Sequence, residues 1–454
     1  MGEFFGTDGI RGRANHYPLT ADMAVRIGRS IGIVFGDANG GPPIIIGRDT
    51  RRSGQMLESA VAAGICSAGT NVLLARVLPT PGVAFLTHHQ GAAAGVVISA
   101  SHNPFEDNGI KVFNHEGLKL SDREEAQIER LLLEEMASSA REEDAPSHVG
   151  GIHIMKGSRQ HYLAFLLRTI PNDFTLEGMK IVLDCANGAT SALAPNLFDR
   201  LNADLTVLHH EPSGTNINQQ CGSEHPESLC RKVLEMGADV GLAFDGDGDR
   251  LIAVDETGKI LTGDQLLAVA ARFLHKRGQL QNDVIVSTVM SNLGLKEALR
   301  TIGIRHVSCD VGDRRVMEKM TDCEAALGGE DSGHIIYRAY HSTGDGLLSA
   351  LKLVETMQED ERPLSEMVQF MTVYPQTLVN VPVGEKPELE SLESIGRAIR
   401  KVEEKLGERG RVLVRYSGTQ SICRVMVEGP KRDLTEDCAH NIAVAIADAI
   451  GDQS

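Results

Sequence analysis

Apolar residues along this chain fall into two rhythms, and the rhythms alternate. Short unbroken runs such as Ile44-Ile45-Ile46, Val96-Val97-Ile98 and residues 240–244 predict strands covered on both faces. Between such runs the spacing becomes helical. Met23, Ile27, Ile31 and Val34 follow Thr20, a side chain able to cap the first turn. Residues 53–68 read as a second helix and 72–74 as a strand. Ser121 and Glu124 form a capping box ahead of Ile128, Leu131, Leu132 and Met136. A stretch rich in Ser, Gly and acidic residues, 138–151, predicts a linker. The pattern then restarts with strands at 180–183, 240–244 and 251–254, the last turned back by Glu256-Thr257-Gly258. A third unit begins with a helix from Asp264 (Leu266, Leu267, Val269, Ala270, Phe273) and continues through a strand at 284–287 to a helix at 346–357. Residues 363–387 contain prolines and predict an irregular second linker. The tail differs: a helix at 392–406, strands at 412–415 and 423–427, and a helix at 434–450. The expectation is α/β, with three similar α/β units before a smaller α+β one. Four such units can enclose a cleft, each contributing one loop.

The polar segments that end the strands carry the candidate chemistry. Ser101 lies in a loop bracketed by Asn103-Pro104 and Asn108-Gly109, at the carboxyl end of the strand containing Val96-Val97-Ile98. Open α/β sheets bind ligands at that end. Ser101 is a candidate nucleophile or phosphoryl carrier, although most serines so placed are turn residues. Lys111, just beyond, is a candidate acid/base group if its environment lowers its pKa. Asp245-Gly246-Asp247-Gly248-Asp249-Arg250 alternates carboxylates with glycines, so the backbone can curl and aim three oxygens at one hard cation. Asp245, Asp247, Asp249 and Glu256 match a calcium-binding helix-loop-helix pattern. However, Arg250 occupies the position where that loop demands Gly, and the flanks read as strands. Magnesium, with one ligand taken from a phosphate, fits better. Glu330, Ser332 and His334 come from one tight loop, Gly328-Gly329-Glu330-Asp331-Ser332-Gly333-His334, and suit sugar hydroxyls. Arg415, Ser417, Gly418 and Thr419, with Arg424, offer a phosphate cradle. Arg11, in Phe5-Gly6-Thr7-Asp8-Gly9-Ile10-Arg11-Gly12, is a further cation.

Composition narrows the partners. The 454 residues are 42% hydrophobic and 24% charged, as in a folded globular protein. The formal net charge of −17 disfavours nucleic acid and acidic membrane surfaces. Aromatic residues make up 4% and Trp is absent, so a base-stacking platform is not expected. The eight cysteines contain no Cys-x-x-Cys pair, which points to free thiols in a reducing compartment. With no signal-peptide pattern and no run of membrane-spanning length, a cytoplasmic protein is expected. P-loop, dinucleotide-fingerprint and hydrolase-elbow motifs are all missing.

Taken together, and in this order, the motifs resemble those of the α-D-phosphohexomutase family over nearly the whole length. They are Phe5 to Gly12, Ser99-Ala100-Ser101-His102-Asn103-Pro104 with Asp107-Asn108-Gly109-Ile110-Lys111, Asp245 to Arg250, Gly328 to His334, and Arg415-Tyr416-Ser417-Gly418-Thr419. Val289-Met290-Ser291-Asn292 and Val311-Gly312-Asp313-Arg314 point to the glucosamine-acting branch. The resemblance implies three α/β domains with mixed sheets and a C-terminal α+β domain around a central cleft, with boundaries at 1–150, 151–255, 256–371 and 372–454. It implies a phosphoserine at Ser101 and one Mg²⁺ held by Asp245, Asp247, Asp249 and that phosphoserine. Arg250 would hold the phosphoryl group, and Lys111, Arg11 and His334 would serve acid/base or phosphoryl-stabilising roles. Glu330 and Ser332 would bind sugar hydroxyls, and Arg415, Ser417, Gly418, Thr419 and Arg424 the non-reacting phosphate. The implied reaction interconverts glucosamine 6-phosphate and glucosamine 1-phosphate, with glucosamine 1,6-bisphosphate as intermediate or activator, and feeds UDP-N-acetylglucosamine and cell-wall synthesis. The partner is a small phosphosugar, and the resemblance allows a homodimer. Mannose or glucose phosphates are the rival substrates, and a non-catalytic phosphosugar-binding protein is the rival class. Tyr416 stands where the family commonly has Pro, and Gln420 where it has Glu, which leaves the fine shape of that loop open.

Overall fold

The computed structural model describes residues 2–6, 8–37, 40–137, 148–417 and 421–451. The chain divides into two compact units, Met1–Met290 with Ile304–Val368, and Ser291–Gly303 with Gln369–Ser454.

The first unit contains three mixed sheets built on one plan. A six-stranded sheet spans Ile10–Arg13 to Ile152–Ile154, a five-stranded sheet Lys180–Asp184 to Ile260–Leu261, and a four-stranded sheet Val284–Thr288 to Ile335–Tyr337. In each, parallel strands form the centre and an antiparallel strand is added at one side. Ile44–Arg48, Ala94–Ile98 and Val240–Phe244 are buried at every position, as continuous apolar runs require. The first sheet packs its Ile44, Ile46, Val96 and Ile98 against Ile27 and Ile31 of the helix Ala21–Phe35 and Leu57 and Val61 of Gly54–Ser67. Thr20 accepts from Met23 N–H, and Ser121 and Glu124 exchange capping bonds, as their spacing predicts.

Some elements depart from the sequence reading. Ile10–Arg13, which the sequence reading did not assign to an element, is an edge strand paired with Asp107–Asn114. Ile152–Ile154 pairs with residues 72–74 of the first sheet, and Ile260–Leu261 with Ala253 and Val254 of the second, so both sheets run past positions 150 and 255. Thr80–His89 is a helix with Pro79 at its N-cap and Pro81 in its first turn, where no intrahelical N–H bond is needed.

The second unit holds a three-stranded antiparallel sheet with two long helices, Glu393–Leu406 and Arg432–Ile450. Residues 363–387, expected to be irregular, contain the strand Gln376–Pro382. It pairs with Ile422–Glu428, and its alternating side chains cover one face of the sheet. Glu428 is fully buried, accepts from Leu293 N–H at 2.8 Å and pairs with Arg411. No helix among the described residues is long and apolar enough to cross a membrane.

Within the first unit, Asp345 caps the helix Gly346–Asp360 through Leu348 N–H and accepts from Tyr162 Oη at 2.8 Å. Burial pushes its carboxyl up to about 6 against these two hydrogen bonds. A raised acid favours the fold while protonated, so this contribution is complete below its unfolded pKa and is lost as pH rises through about 6. The loss amounts to about 3 kcal/mol at most. Asp345→Asn keeps the cap without the titration. Calorimetric melting at pH 4 and pH 7 is expected to show the wild type losing a few degrees more than the variant, and parallel losses would contradict this.

Candidate active site

The same local event builds three loops of the first unit. Where the last parallel strand of each sheet meets its antiparallel neighbour, the connection is polar. These connections are 99–106 between Ala94–Ile98 and Asp107–Asn114, 245–250 between Val240–Phe244 and Leu251–Asp255, and 330–334 between Leu327–Gly329 and Ile335–Tyr337. Each lies at the carboxyl end of a buried strand, where apolar packing stops and unpaired backbone groups and side chains converge.

The first two loops meet at Ser101. Its side chain is buried and donates from Oγ to Asp245 Oδ2 at 2.6 Å, with His102 Nδ1 3.3 Å away. Asp245, Asp247 and Asp249 are all buried and each brings one oxygen within 4.8 Å of the others. Gly246 lets this curl approach Ser101: a Cβ there would stand 2.6 Å from the Ser101 carbonyl oxygen. Asp247 Oδ1 and Asp249 Oδ1 are buried with no hydrogen-bond partner. Two orphaned carboxylate oxygens in a three-carboxylate set are the donor chemistry of a hard divalent cation, so the residues fit a metal. A second trio, Asp184, His209 and Cys221, also comes together. There both Asp184 oxygens are already satisfied, by Ala186 N–H, Gly222 N–H and His209.

Cations surround the aspartates. Lys111, opposite Val97 in the sheet, points Nζ at Asp247 Oδ2 (2.9 Å), Asp8 Oδ2 (3.1 Å) and Asp249 Oδ2 (3.8 Å). Burial opposes its charge, but Asp247, Asp8 and Asp249 outweigh burial and raise its pKa. The lowered pKa that acid/base work suggested for Lys111 is therefore not found; this lysine is a fixed ammonium in a carboxylate cage. Burial and Asp249 press the Asp247 carboxyl up, yet Lys111 and the Thr80 hydroxyl at 2.6 Å bring it below its ordinary value. For Asp245 the pull of Arg250 is outweighed, and burial with its two like neighbours drives it well above the usual range. Arg250 lies against Asp249 and Glu224, at 4.0 and 3.2 Å, and its N–H donates to Asp245 Oδ1. Arg11 pairs with Asp8, and its buried Nε has no partner.

The third loop adds His334, 3.6 Å from both Asp249 and Asp313. Burial presses its pKa down, but Asp249, Asp313 and Glu330 outweigh burial and raise it above its ordinary value, while Gly344 N–H donates to its Nε2. Glu330 accepts from Gly312 N–H, and the buried Ser332 hydroxyl has no partner. Sequence reasoning missed Asp8, Lys119, Asp313 and Thr80. Lys119 bridges Asp8 and Asp313, which extends the alternating charges outward from Lys111. Asp8 and Asp313 lay inside motifs already singled out; Lys119 and Thr80 carried no local signal.

In the second unit Arg415 and Arg424 face each other across adjacent strands. Together they offer two guanidinium groups from adjacent strands, donors suited to a phosphate. Arg424 Nε is buried without a partner, and Lys386 donates to the Ser417 carbonyl at 2.7 Å. Tyr416 Oη donates to the Pro387 carbonyl, so this side chain braces the strand's approach. Gly418 and Thr419 lie outside the described residues, as does Gln420.

Four family models match in order: Phosphoglucomutase/phosphomannomutase, alpha/beta/alpha domain I at residues 2–139, domain II at 160–258, domain III at 262–374, and the C-terminal domain at 378–445. The chain belongs to the phosphoglucomutase/phosphomannomutase family. It is 49% identical over 453 residues to a phosphoglucosamine mutase of Syntrophus aciditrophicus, covering 99% of this chain and all of that one. It is 50% identical over 451 residues to a phosphoglucosamine mutase of Anoxybacillus flavithermus, with coverage of 99% and 100%. Among solved structures, a phosphoglucomutase/phosphomannomutase family protein of Burkholderia thailandensis superposes with a TM-score of 0.78 at 24% identity, covering 98% and 97% of the two chains. An N-acetylphosphoglucosamine mutase of Aspergillus fumigatus, solved with GlcNAc-6P and magnesium, has a TM-score of 0.68 at 18% identity, with coverage of 98% and 96%. Both likenesses concern the fold of the phosphohexomutases.

If the aspartate triad is the cation site, Asp249→Asn is expected to weaken Mn²⁺ binding at least about tenfold. Titration calorimetry or electron paramagnetic resonance would measure it. Affinity equal to the wild type would place the cation elsewhere.

Proposed function

We infer that this chain is an isomerase that interconverts glucosamine 6-phosphate and glucosamine 1-phosphate, supplying the amino sugar for UDP-N-acetylglucosamine and cell-wall synthesis. The observation that carries the reading is the buried Ser101 Oγ, 2.6 Å from a cluster of three buried aspartates with two orphaned oxygens. A buried hydroxyl beside a cation site and several fixed cations is suited to carrying a phosphoryl group.

In this reading Ser101 is phosphorylated in the working enzyme. Asp245, Asp247, Asp249 and the phosphoserine hold one Mg²⁺, whose chemistry is to neutralise charge on the phosphoryl oxygens. The bond between phosphorus and Ser101 Oγ breaks as O1 of glucosamine 6-phosphate takes the phosphoryl group, and the O1 proton leaves to a basic group of the site. The resulting glucosamine 1,6-bisphosphate turns over, and Ser101 recovers the phosphoryl group from O6, releasing glucosamine 1-phosphate. Lys111, Arg11 and Arg250 offset the negative charge in transfer. His334 is the candidate to take the proton from O1 and to return one to O6 as the second transfer frees it, while Lys111 stays a fixed positive charge. Glu330 accepts, and the unpartnered Ser332 hydroxyl exchanges, hydrogen bonds with sugar hydroxyls. Arg415, Arg424, Ser417, Gly418 and Thr419 take the phosphate that is not being transferred; the opposed pair Arg415 and Arg424 supports this because two guanidinium forks on adjacent strands suit one phosphate. The same cradle must accept the phosphate at C6 before the turnover of the bisphosphate and the phosphate at C1 after it. The four segments of the chain, with boundaries near 150, 255 and 371, each supply one of these loops.

Ser101→Ala is expected to lower kcat by at least about 10³-fold, the scale on which removing a nucleophile acts. Mass spectrometry of the wild type is expected to find phosphate on the peptide containing Ser101. Normal turnover by the variant would remove Ser101 from the mechanism. In a coupled assay, kcat/KM for glucosamine 6-phosphate is expected to exceed that for mannose and glucose 6-phosphates by about tenfold or more. If the amino sugar is the poorest of the three, the substrate assignment fails, and binding without turnover of any of them would favour a non-catalytic phosphosugar-binding protein.

A further inference from the structure

Ser101 is held at φ 51°, a backbone conformation that L side chains avoid. Something must hold it there, and two buried side chains do. Arg51 donates from Nη2 to the carbonyls of Ser101 (2.9 Å) and Asn103 (2.8 Å), and from Nη1 to that of Pro104. Asn218, from the second α/β segment, donates from Nδ2 to the same carbonyls of Ser101 (2.8 Å) and Asn103 (2.9 Å). Arg51 is itself fixed by Asp49, whose Oδ2 accepts from Arg51 Nε at 2.9 Å and from Ser99 Oγ at 2.6 Å. Ser99 Oγ in turn accepts from Ser101 N–H at 2.9 Å. The flanking residues face the other way: Thr50 Oγ1 donates to the Asn187 carbonyl at 2.6 Å, and Arg52 N–H to that of Gly214 at 2.8 Å. Residues 49–52 therefore form a bracket, with alternate positions gripping the serine loop and the second segment.

We propose that Arg51 and Asn218 are positioning residues of the phosphoryl-transfer site, which pin the Ser101 and Asn103 carbonyls and so hold Ser101 Oγ at the aspartate triad. The proposal rests on the reading of Ser101 as phosphoryl carrier. The side-chain amide and guanidinium bonds of these residues to the loop go to its backbone carbonyls, not to the Ser101 hydroxyl. Their effect passes through the loop backbone, where a displacement of an ångström is enough to misalign an in-line transfer.

Asn218 provides a clean test because its own φ is 58°. Glycine adopts that conformation without strain, so Asn218→Gly removes the amide donors and leaves the backbone undisturbed. Asn218→Asp keeps the shape but turns an acceptor toward two carbonyl oxygens. Expected results are a kcat about tenfold lower for Asn218→Gly and about a hundredfold lower for Asn218→Asp, with KM within threefold of wild type and melting temperatures within a few degrees. Peptide-level hydrogen exchange over residues 98–106 is expected to quicken in both variants and to stay unchanged over 240–244. A kcat for Asn218→Gly within twofold of wild type overturns the inference, as does unchanged exchange over 98–106, or a fall in kcat that follows a matching loss of folded protein. Wild-type protein is assayed alongside: an inactive wild type without phosphate on Ser101 removes the underlying reading, whereas an active wild type with equally active variants removes only this inference.

Discussion

Three aspartates bring carboxylate oxygens within 4.8 Å of one another in a place closed to water. At an effective dielectric of about 20, each pair of unit charges at that separation repels by about 3–4 kcal/mol. Three such pairs come to about the whole stability of an ordinary domain. The surrounding structure answers this repulsion. Lys111, which would be costly to bury alone, lies among Asp247, Asp8 and Asp249, and Arg250 lies beside Asp249 and Asp245. Asp245 remains without a lysine of its own and keeps its proton more readily than its neighbours. Two carboxylate oxygens of the site, on Asp247 and Asp249, still lack hydrogen-bond partners. Such a donor set suits a hard divalent cation.

The architecture solves the problem of bringing such groups together by repetition. Each of the three large sheets ends its parallel portion at a polar turn into an antiparallel strand. One strand-to-strand junction, used three times, carries a hydroxyl, three carboxylates, and a carboxylate-hydroxyl-imidazole set. Glycines are needed where the turns touch. Gly246 lies against the Ser101 carbonyl, and Gly188 against the backbone of Gly246, so neither position has room for a side chain. Loops of this kind have few backbone bonds of their own, so their shape comes from side chains sent in from neighbouring elements. Thr80 anchors Asp247 in this way, and Arg51 and Asn218 anchor the turn at Ser101.

Much of the fold was legible because periodicity is a local property. The buried strands, the helix behind Thr20 and the capping box at Ser121 follow from side chains within a few positions of one another. What escaped depended on distant partners. Ile10–Arg13 is a strand only because Asp107–Asn114 lies beside it, and Gln376–Pro382 only because Ile422–Glu428 does. The helix Thr80–His89 was hidden by prolines that the first turn of a helix tolerates.

The sequence by itself determined the alternation of strands and helices, the chemical content of each polar loop and the order of the motifs that mark the family. Those are properties of residue type and spacing, which survive without knowledge of what lies across the fold. Tertiary structure alone decided that Ser101 Oγ meets Asp245, that Lys111 is a caged ammonium rather than a surface lysine, and that Lys119 joins Asp8 to Asp313. The reason is the same in each case. A charge or hydroxyl acquires its role from partners more than a hundred residues away, and burial decides whether those partners reinforce its charge or suppress it.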